Sequence, residues 1–89
     1  MLVKSVTVGS RVGLHARPAT VLAESVQGEG VEIEIAKDGN DEFVDASSIL
    51  MILTLGVSHG DSVTIRSEDA TAEQLEKIAK LIESDLDAE

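Results

Sequence analysis

The sequence predicts an α+β domain in which a four-stranded antiparallel sheet carries three helices on one face, in the order β-α-β-β-α-β-α. Three observations lead to this prediction. Four short segments alternate apolar and polar residues as half-buried strands do. The segments between them show the apolar spacing or the cap residues of helices. Finally, 89 residues suffice for one thin two-layer core, so we expect a single domain over residues 1–89.

The first half of the chain is predicted to contain a strand, a long helix and a β-hairpin. Residues 2–8 alternate as a strand, and the glycines in segment 28–30 end the helix that follows. Residues 31–35 alternate perfectly, and the turn signal at 38–39 leads to a returning strand over 41–46. The helix is expected to bury one apolar stripe, formed by Ala19, Leu22, Ala23 and Val26.

The second half is predicted to add a short helix, a fourth strand and a C-terminal helix. Ser47 or Ser48 can cap the short helix, which continues to about Thr54. Residues 61–67 alternate as a strand, and Thr71 begins a capping box at the start of the last helix. This helix is expected to bury the strongest apolar stripe in the chain, formed by Leu75, Ile78, Ala79, Ile82 and Leu86.

The composition excludes several classes of function. A net charge of −10 repels nucleic acid and anionic membranes, so we expect neither nucleic-acid binding nor membrane insertion. The absence of cysteine removes thiolate chemistry and fits a cytoplasmic location. The two histidines lack the spacing of a metal site, and His59 is expected to be a plain surface residue in a turn. We therefore expect no metal and no cofactor, and partners that are proteins or a transferable group.

Residues 13–19, with the sequence GLHARPA, carry the candidate site. Pro18 marks a helix start, which places His15 near the N-cap, facing the unpaired backbone amides of Ala16 and Arg17. Histidine titrates near neutral pH, and neutral imidazole can attack phosphorus and later leave, which suits reversible phosphoryl transfer. The Arg17 guanidinium could spread the charge of the transferring group. The alternative is that His15 only caps the helix and that Arg17 is a solvated first-turn residue.

The apolar segment 49–53, with the sequence ILMIL, is a second feature. A short surface helix buries one stripe, so at least two of these side chains should face water. An exposed apolar patch is usually a protein-binding site, whereas the alternative is a helix buried on all sides. The first helix should extend such a docking surface through the face that begins beside His15, formed by Arg17, Thr20, Val21 and Glu24.

The two motifs together resemble the histidine-containing phosphocarrier (HPr) family of the sugar phosphotransferase system. The resemblance covers essentially the whole chain, through GLHARPA at 13–19, the second motif at 48–56, the length and the element order. It implies an open-faced β-sandwich in which Nδ1 of His15 accepts a phosphoryl group from phosphorylated enzyme I, made from phosphoenolpyruvate. Arg17 would support the phosphate, and IIA domains of sugar permeases would receive it. The chain would then be a transiently phosphorylated carrier and not an enzyme.

The resemblance also implies a docking surface and a regulatory site. Ser48 matches the serine that an HPr kinase/phosphorylase modifies in many Gram-positive members, although Ser47 stands where a basic residue often precedes it. Glu24 and Gln27 stand where family members often carry lysines, so docking should depend more on apolar contact. The implied contacts with enzyme I and the IIA domains are Thr20, Ile49, Leu50, Leu53 and Thr54.

Two alternatives keep the same fold. The chain could be an HPr-like regulatory module whose helix faces bind a transcription or metabolic regulator, in which case His15 could be dispensable. It could also serve a nitrogen-related branch of the phosphotransferase system, with the same chemistry at His15. In each case we expect a monomer.

Overall fold

All seven predicted elements form, in the predicted order. The computed structural model describes residues 1–40 and 42–84. Its elements are β1 (Leu2–Thr7), α1 (Ala16–Glu29), β2 (Glu34–Lys37), β3 (Val44–Asp45), α2 (Ile49–Leu53), β4 (Ser62–Ser67) and α3 (Ala72–Glu83). The strands form one antiparallel sheet in the order β1-β4-β2-β3, and the three helices leave its other face open. The predicted α+β open-faced sandwich is therefore confirmed.

The core lies between the sheet and the helices. Strand residues that alternate inward are buried, among them Val6, Val63 and Ile65. The predicted stripe of α1 is buried in full, and so is that of α3 as far as residue 82; Leu86 and the rest of 85–89 lie outside the described residues. Burial of each large apolar side chain contributes about 1.5–3 kcal/mol, so these stripes hold the helices on the sheet.

The caps predicted for the helices are present. α1 ends at Gly30 in the left-handed conformation, as the glycine signal indicates. At the start of α3, Thr71 Oγ1 accepts a hydrogen bond from the Gln74 amide at 3.1 Å, and Gln74 Oε1 accepts one from the Thr71 amide at 2.9 Å. The capping box is thus confirmed. Among the described residues, no helix is both long enough and apolar enough to cross a membrane.

The hairpin differs from the sequence prediction. β2 begins three residues later than expected, and β3 has two residues where six were expected, the first of which, residue 41, lies outside the described residues. The Ala46 amide still donates to the Ile33 carbonyl at 2.9 Å, but at Glu32 side chains bind the backbone. The Asp69 carboxylate accepts from the Glu32 amide at 3.2 Å, and Ser67 Oγ donates to the Glu32 carbonyl at 2.5 Å. An alternating sequence looks the same whether the backbone bonds to a neighbouring strand or to side chains. The prediction therefore extended the strand too far.

The open face of the sheet carries a small polar and aromatic cluster. The Arg66 guanidinium lies 3.7 Å from the ring centroid of Phe43, the one aromatic residue of the sequence. Arg66 Nε also donates to Glu34 Oε1 at 2.9 Å. Val3 stands near the start of β1 on the same face and has 60% of its surface exposed. This face therefore relies on charge, ring and hydroxyl contacts where the opposite face relies on apolar packing.

One carboxylate on this face makes stability depend on pH. Ser62 Oγ donates to Asp38 Oδ2 at 2.5 Å and Thr64 Oγ1 donates to Asp38 Oδ1 at 2.6 Å, and these bonds lower the pKa of Asp38 below its ordinary value. A carboxyl whose folded-state pKa is lowered stabilises the fold above its unfolded pKa, about 3.9 for Asp, and this contribution disappears as the pH falls through the folded value. At pH values below about 4, we expect the urea concentration at the unfolding midpoint to fall. The fall should be smaller in Asp38→Asn, which lacks the titrating carboxyl. Equal acid dependence in both proteins would contradict this assignment.

Candidate functional site

His15 is the N-cap residue of α1, as the sequence predicts. Its backbone is extended, with φ −115° and ψ 159°, and its side chain makes no capping hydrogen bond. The residue is exposed at the helix end where backbone amides have no partner within the helix. The imidazole therefore does not serve as the helix cap, and its ring stands at the positive end of the helix dipole.

The turn after His15 is strained. Ala16 has φ 44°, and it is the one non-glycine residue of the described chain with a positive φ. This conformation costs an L-residue about 1–2 kcal/mol and is often found at functional sites. Because Pro18 disfavours the α region for Arg17, an irregular start of the helix is expected, and the irregularity falls at Ala16. Thr20 Oγ1 donates to the Ala16 carbonyl at 3.2 Å, which ties the strained residue to the next turn of α1.

The site loop, residues 9–14, leads to His15 and fits closely against two other parts of the fold. A Cβ on Gly9 would lie 1.7 Å from the last carbonyl oxygen of α3, and one on Gly13 would lie 2.3 Å from the Val57 carbonyl oxygen. Gly13 also has φ +72°, which favours glycine. Leu14 is fully buried in the core. The residue immediately before the exposed histidine is therefore fixed by packing.

Cationic side chains lie close to His15 in the sequence. The chain has seven lysines and arginines against 17 acidic residues, yet two of those seven, Arg11 and Arg17, lie within four positions of His15. Both are exposed, Arg11 in the site loop and Arg17 in the first turn of α1. Together with the helix dipole, they make this end of an acidic domain suitable for an anion such as a phosphoryl group.

Most side chains of α2 face solvent. Ser48 is the N-cap, and its Oγ accepts from the Met51 amide at 3.3 Å, which decides between the two serines considered from the sequence. Ile52 is buried, whereas Leu50 has 71% of its surface exposed. The four exposed large side chains, here called the α2 apolar patch, are Ile49, Leu50, Met51 and Leu53. The prediction that at least two would face water is confirmed, and the fully buried alternative is wrong.

The two helices that carry the predicted contact residues are joined by a side chain. Gln27 Nε2 on α1 donates to the Ser47 carbonyl, just before α2, at 2.8 Å. Gln27, where the family resemblance leads us to expect lysine, thus serves to hold the fold. Thr20 is half-buried on α1, and Thr54 is the exposed C-cap of α2. The helices are adjacent as expected, and partner contacts at these residues stay a prediction.

Two features near the site, the exposed Val12 side chain and a bond made by His59, were not predicted from the sequence. Val12, in the site loop three residues before His15, has 47% of its surface exposed and adds an apolar side chain to this end of the domain. His59 is exposed in its turn as predicted, but its Nδ1 lies 3.0 Å from the Ser10 carbonyl oxygen. An apolar residue in a polar loop was a usable signal for Val12. No local pattern relates His59 to a residue 49 positions earlier.

The exposed His15 thus begins α1, and α1 packs against α2, which carries the α2 apolar patch. A family model described as "PTS HPr component phosphorylation site" matches residues 2–84, and the chain belongs to the HPr family. It is 39% identical to the phosphocarrier protein HPr of Streptomyces coelicolor over 98% of this chain and 94% of that protein. It is also 33% identical to the HPr-like protein Crh of Halalkalibacterium halodurans, over 96% of this chain and 100% of that protein.

A solved structure agrees with the fold. The crystal structure of HPr-C-His from Thermoanaerobacter tengcongensis superposes on this chain with a TM-score of 0.86 and 32% sequence identity. The superposition covers 100% of this chain and 99% of that one. The family resemblance drawn from the two sequence motifs is therefore confirmed, together with its open-faced fold.

Proposed function

We propose that this chain carries a phosphoryl group on Nδ1 of His15, which it takes from phosphorylated enzyme I and passes to IIA domains of sugar permeases. The observation that carries the proposal is the exposed His15 at the N-terminus of α1, with an imidazole that makes no capping bond. Membership of the HPr family supports the same role. The chain acts as a monomeric carrier in the cytoplasm, and its partners are enzyme I and the IIA domains.

The proposed transfer needs an imidazole that can both attack and leave. In the first step the Nδ1 lone pair of His15 attacks phosphorus, the N–P bond forms, and the bond between phosphorus and the donor breaks with its electron pair kept by the donor. The neutral ring carries its proton on Nε2 during this attack, because Nδ1 must be unprotonated. In the second step the acceptor attacks phosphorus, and the N–P electron pair returns to Nδ1.

The N-terminus of α1 supplies the groups that we expect to hold the phosphoryl group. The backbone amides of Ala16 and Arg17 belong to the first turn, where the helix dipole favours an anion. The Arg17 guanidinium adds a planar fork of donors that matches phosphate oxygens. Phosphoryl transfer depends mainly on positioning and on charge stabilisation, and these groups contribute to both.

The α2 apolar patch is the proposed docking surface for both partners. An exposed apolar patch of this kind usually binds protein, and the net charge of −10 gives little attraction to acidic partner surfaces. Thr20 and Thr54 are the polar contacts that we expect beside the patch. Ser48 is a candidate for regulatory phosphorylation, because a phosphate is well placed at a helix N-terminus and would add up to about two negative charges beside the patch.

Phosphoenolpyruvate and a matched enzyme I test the carrier function. We expect the intact mass of the chain to increase by one phosphoryl group, and the modification to be labile in acid and stable in base. Addition of a IIA domain should return the mass to its starting value, because the group passes on. A chain that gains no mass under conditions in which the same enzyme I phosphorylates its own carrier would contradict the proposal.

A regulatory binding module is the second candidate. The α2 apolar patch could bind a transcription or metabolic regulator without any chemistry at His15, and a protein named HPr-like is among the relatives. The two functions differ in which residue they need. Regulator binding should survive His15→Ala and be lost in Leu50→Asp, whereas the carrier function requires His15 itself.

A further inference from the structure

His59 lies in the turn between α2 and β4 and reaches across to the site loop. Its Nδ1 stands 3.0 Å from the Ser10 carbonyl oxygen. A carbonyl oxygen can only accept, so Nδ1–H of His59 is the donor, and in the neutral ring the proton lies on Nδ1. The side chain of an exposed turn residue thus holds the backbone of the loop that leads to His15.

The same carbonyl closes a turn within the site loop. The Gly13 amide also donates to the Ser10 carbonyl, at 3.0 Å, so one oxygen accepts both the bond within the loop and the bond from His59. The next amide, that of Leu14, donates to the Val57 carbonyl at 3.1 Å. Residues 57–59 therefore bind the loop on both sides of Gly13, immediately before the residue proposed to accept the phosphoryl group.

The turn that carries His59 is itself held in place. The Ser58 amide donates to Asp61 Oδ2 at 2.8 Å, and this bond is the main cause of the lowered pKa of Asp61. Lys37 Nζ lies 3.4 Å from the same oxygen, and it also donates to the Gly56 carbonyl at 3.3 Å. His59 is therefore presented from a braced turn, which allows its bond to restrain the loop.

The Ser10 side chain does not help to hold the site loop in place. Ser10 is fully buried, and its Oγ has no hydrogen-bond partner among the described residues. The side chain of Ser10 thus makes no bond that anchors the loop, and the restraint acts through its carbonyl. Removal of the His59 donor would leave that carbonyl with the Gly13 bond alone.

We propose that His59 is a positioning residue for phosphoryl transfer: its Nδ1–H holds the Ser10 carbonyl and thereby fixes, through Gly13 and Leu14, where His15 stands. The proposal rests on the carrier function proposed above. His59 contacts neither the phosphoryl group nor a partner in this scheme. It reduces the range of positions that the His15 ring can take, and reactions of this kind are sensitive to small displacements of the reacting group.

A matched pair of substitutions tests the proposal. In His59→Asn the side-chain amide nitrogen stands near the position of Nδ1 and can donate a hydrogen bond. In His59→Leu the side chain has nearly the same shape as that asparagine but has no donor. We expect His59→Leu to slow phosphorylation by enzyme I by about 3- to 10-fold, the effect of one hydrogen bond, and His59→Asn to stay within about 2-fold of the unmodified protein. Amide hydrogen exchange at Gly13 should accelerate in His59→Leu and not in His59→Asn.

Failure of the positioning role and failure of the carrier function give different results in these experiments. If the unmodified protein takes up no phosphoryl group, the carrier function fails, whereas faster Gly13 exchange confined to His59→Leu would still support the restraint of the loop. Equal phosphorylation rates and equal Gly13 exchange in His59→Leu and His59→Asn would overturn the positioning role. Thermal unfolding of both variants at the same temperature as the unmodified protein would exclude a general loss of stability as the cause.

Discussion

Replacing His15 by alanine is expected to abolish phosphoryl uptake and to leave the fold intact. The imidazole is the proposed nucleophile, so its loss should lower the rate of uptake by roughly 10³-fold or more. The residue is exposed and its side chain makes no capping bond, so the free energy of unfolding should change by less than about 0.5 kcal/mol. Intact-mass spectrometry after incubation with phosphoenolpyruvate and enzyme I measures the first effect, and urea unfolding measures the second.

A control for this experiment lies in the turn after β4. Glu68 is exposed there and has no proposed part in docking or transfer, so Glu68→Ala should take up the phosphoryl group at the rate of the unmodified protein. Uptake by His15→Ala at that same rate would mean that another residue accepts the group, and the assignment of His15 would be wrong.

Replacing Leu50 by aspartate should weaken docking strongly without affecting stability. Leu50 is the most exposed member of the α2 apolar patch, with 71% of its surface accessible, and a large apolar side chain in the centre of a protein interface contributes about 2 kcal/mol or more. We expect the KM of enzyme I for this carrier to rise by about 10- to 100-fold, since a buried charge replaces an apolar contact. The melting temperature should stay close to that of the unmodified protein. Steady-state phosphorylation at varied carrier concentration measures the effect.

Val3→Asp is the matched control for Leu50→Asp. Val3 is similarly exposed, at 60%, but lies in β1, on the open face of the sheet and outside the α2 apolar patch. The same charge is introduced there, so a general effect of added negative charge would appear in both variants. An equal rise of KM in the two proteins would contradict the docking role of α2, whereas a rise confined to Leu50→Asp supports it.

The helices and the sheet were predictable because their signals are local. The stripe from Ala19 to Val26 and the capping box at Thr71 each lie within eight or fewer consecutive residues, and each forms as the pattern indicates. The early start predicted for β2 was wrong because Asp69 and Ser67, more than 30 residues away, bind the segment before it. Alternation records which side chains are buried and does not record what binds the backbone.

In the candidate site, too, some features follow from local sequence signals and others do not. His15 and Arg17 could be proposed from the sequence because Pro18 marks the start of the helix, and the N-terminus of a helix favours a bound anion. Pro18 made an irregular helix start predictable but not its place at Ala16. The bond from His59 to Ser10 was not predictable, because it joins residues 49 positions apart in the chain. The motif therefore predicts which residue is the acceptor, and the packing of the site loop positions that residue.

The central claim is that the phosphoryl group is carried on Nδ1 of His15, and NMR spectroscopy of the ¹⁵N-labelled, phosphorylated protein tests it most directly. We expect a phosphorus coupling to one ring nitrogen, assigned to Nδ1 of His15, with the ring signals of His59 free of such coupling. Phosphorus coupled to His59, or a phosphoserine at Ser48 in place of a phosphohistidine after reaction with enzyme I, would contradict the claim.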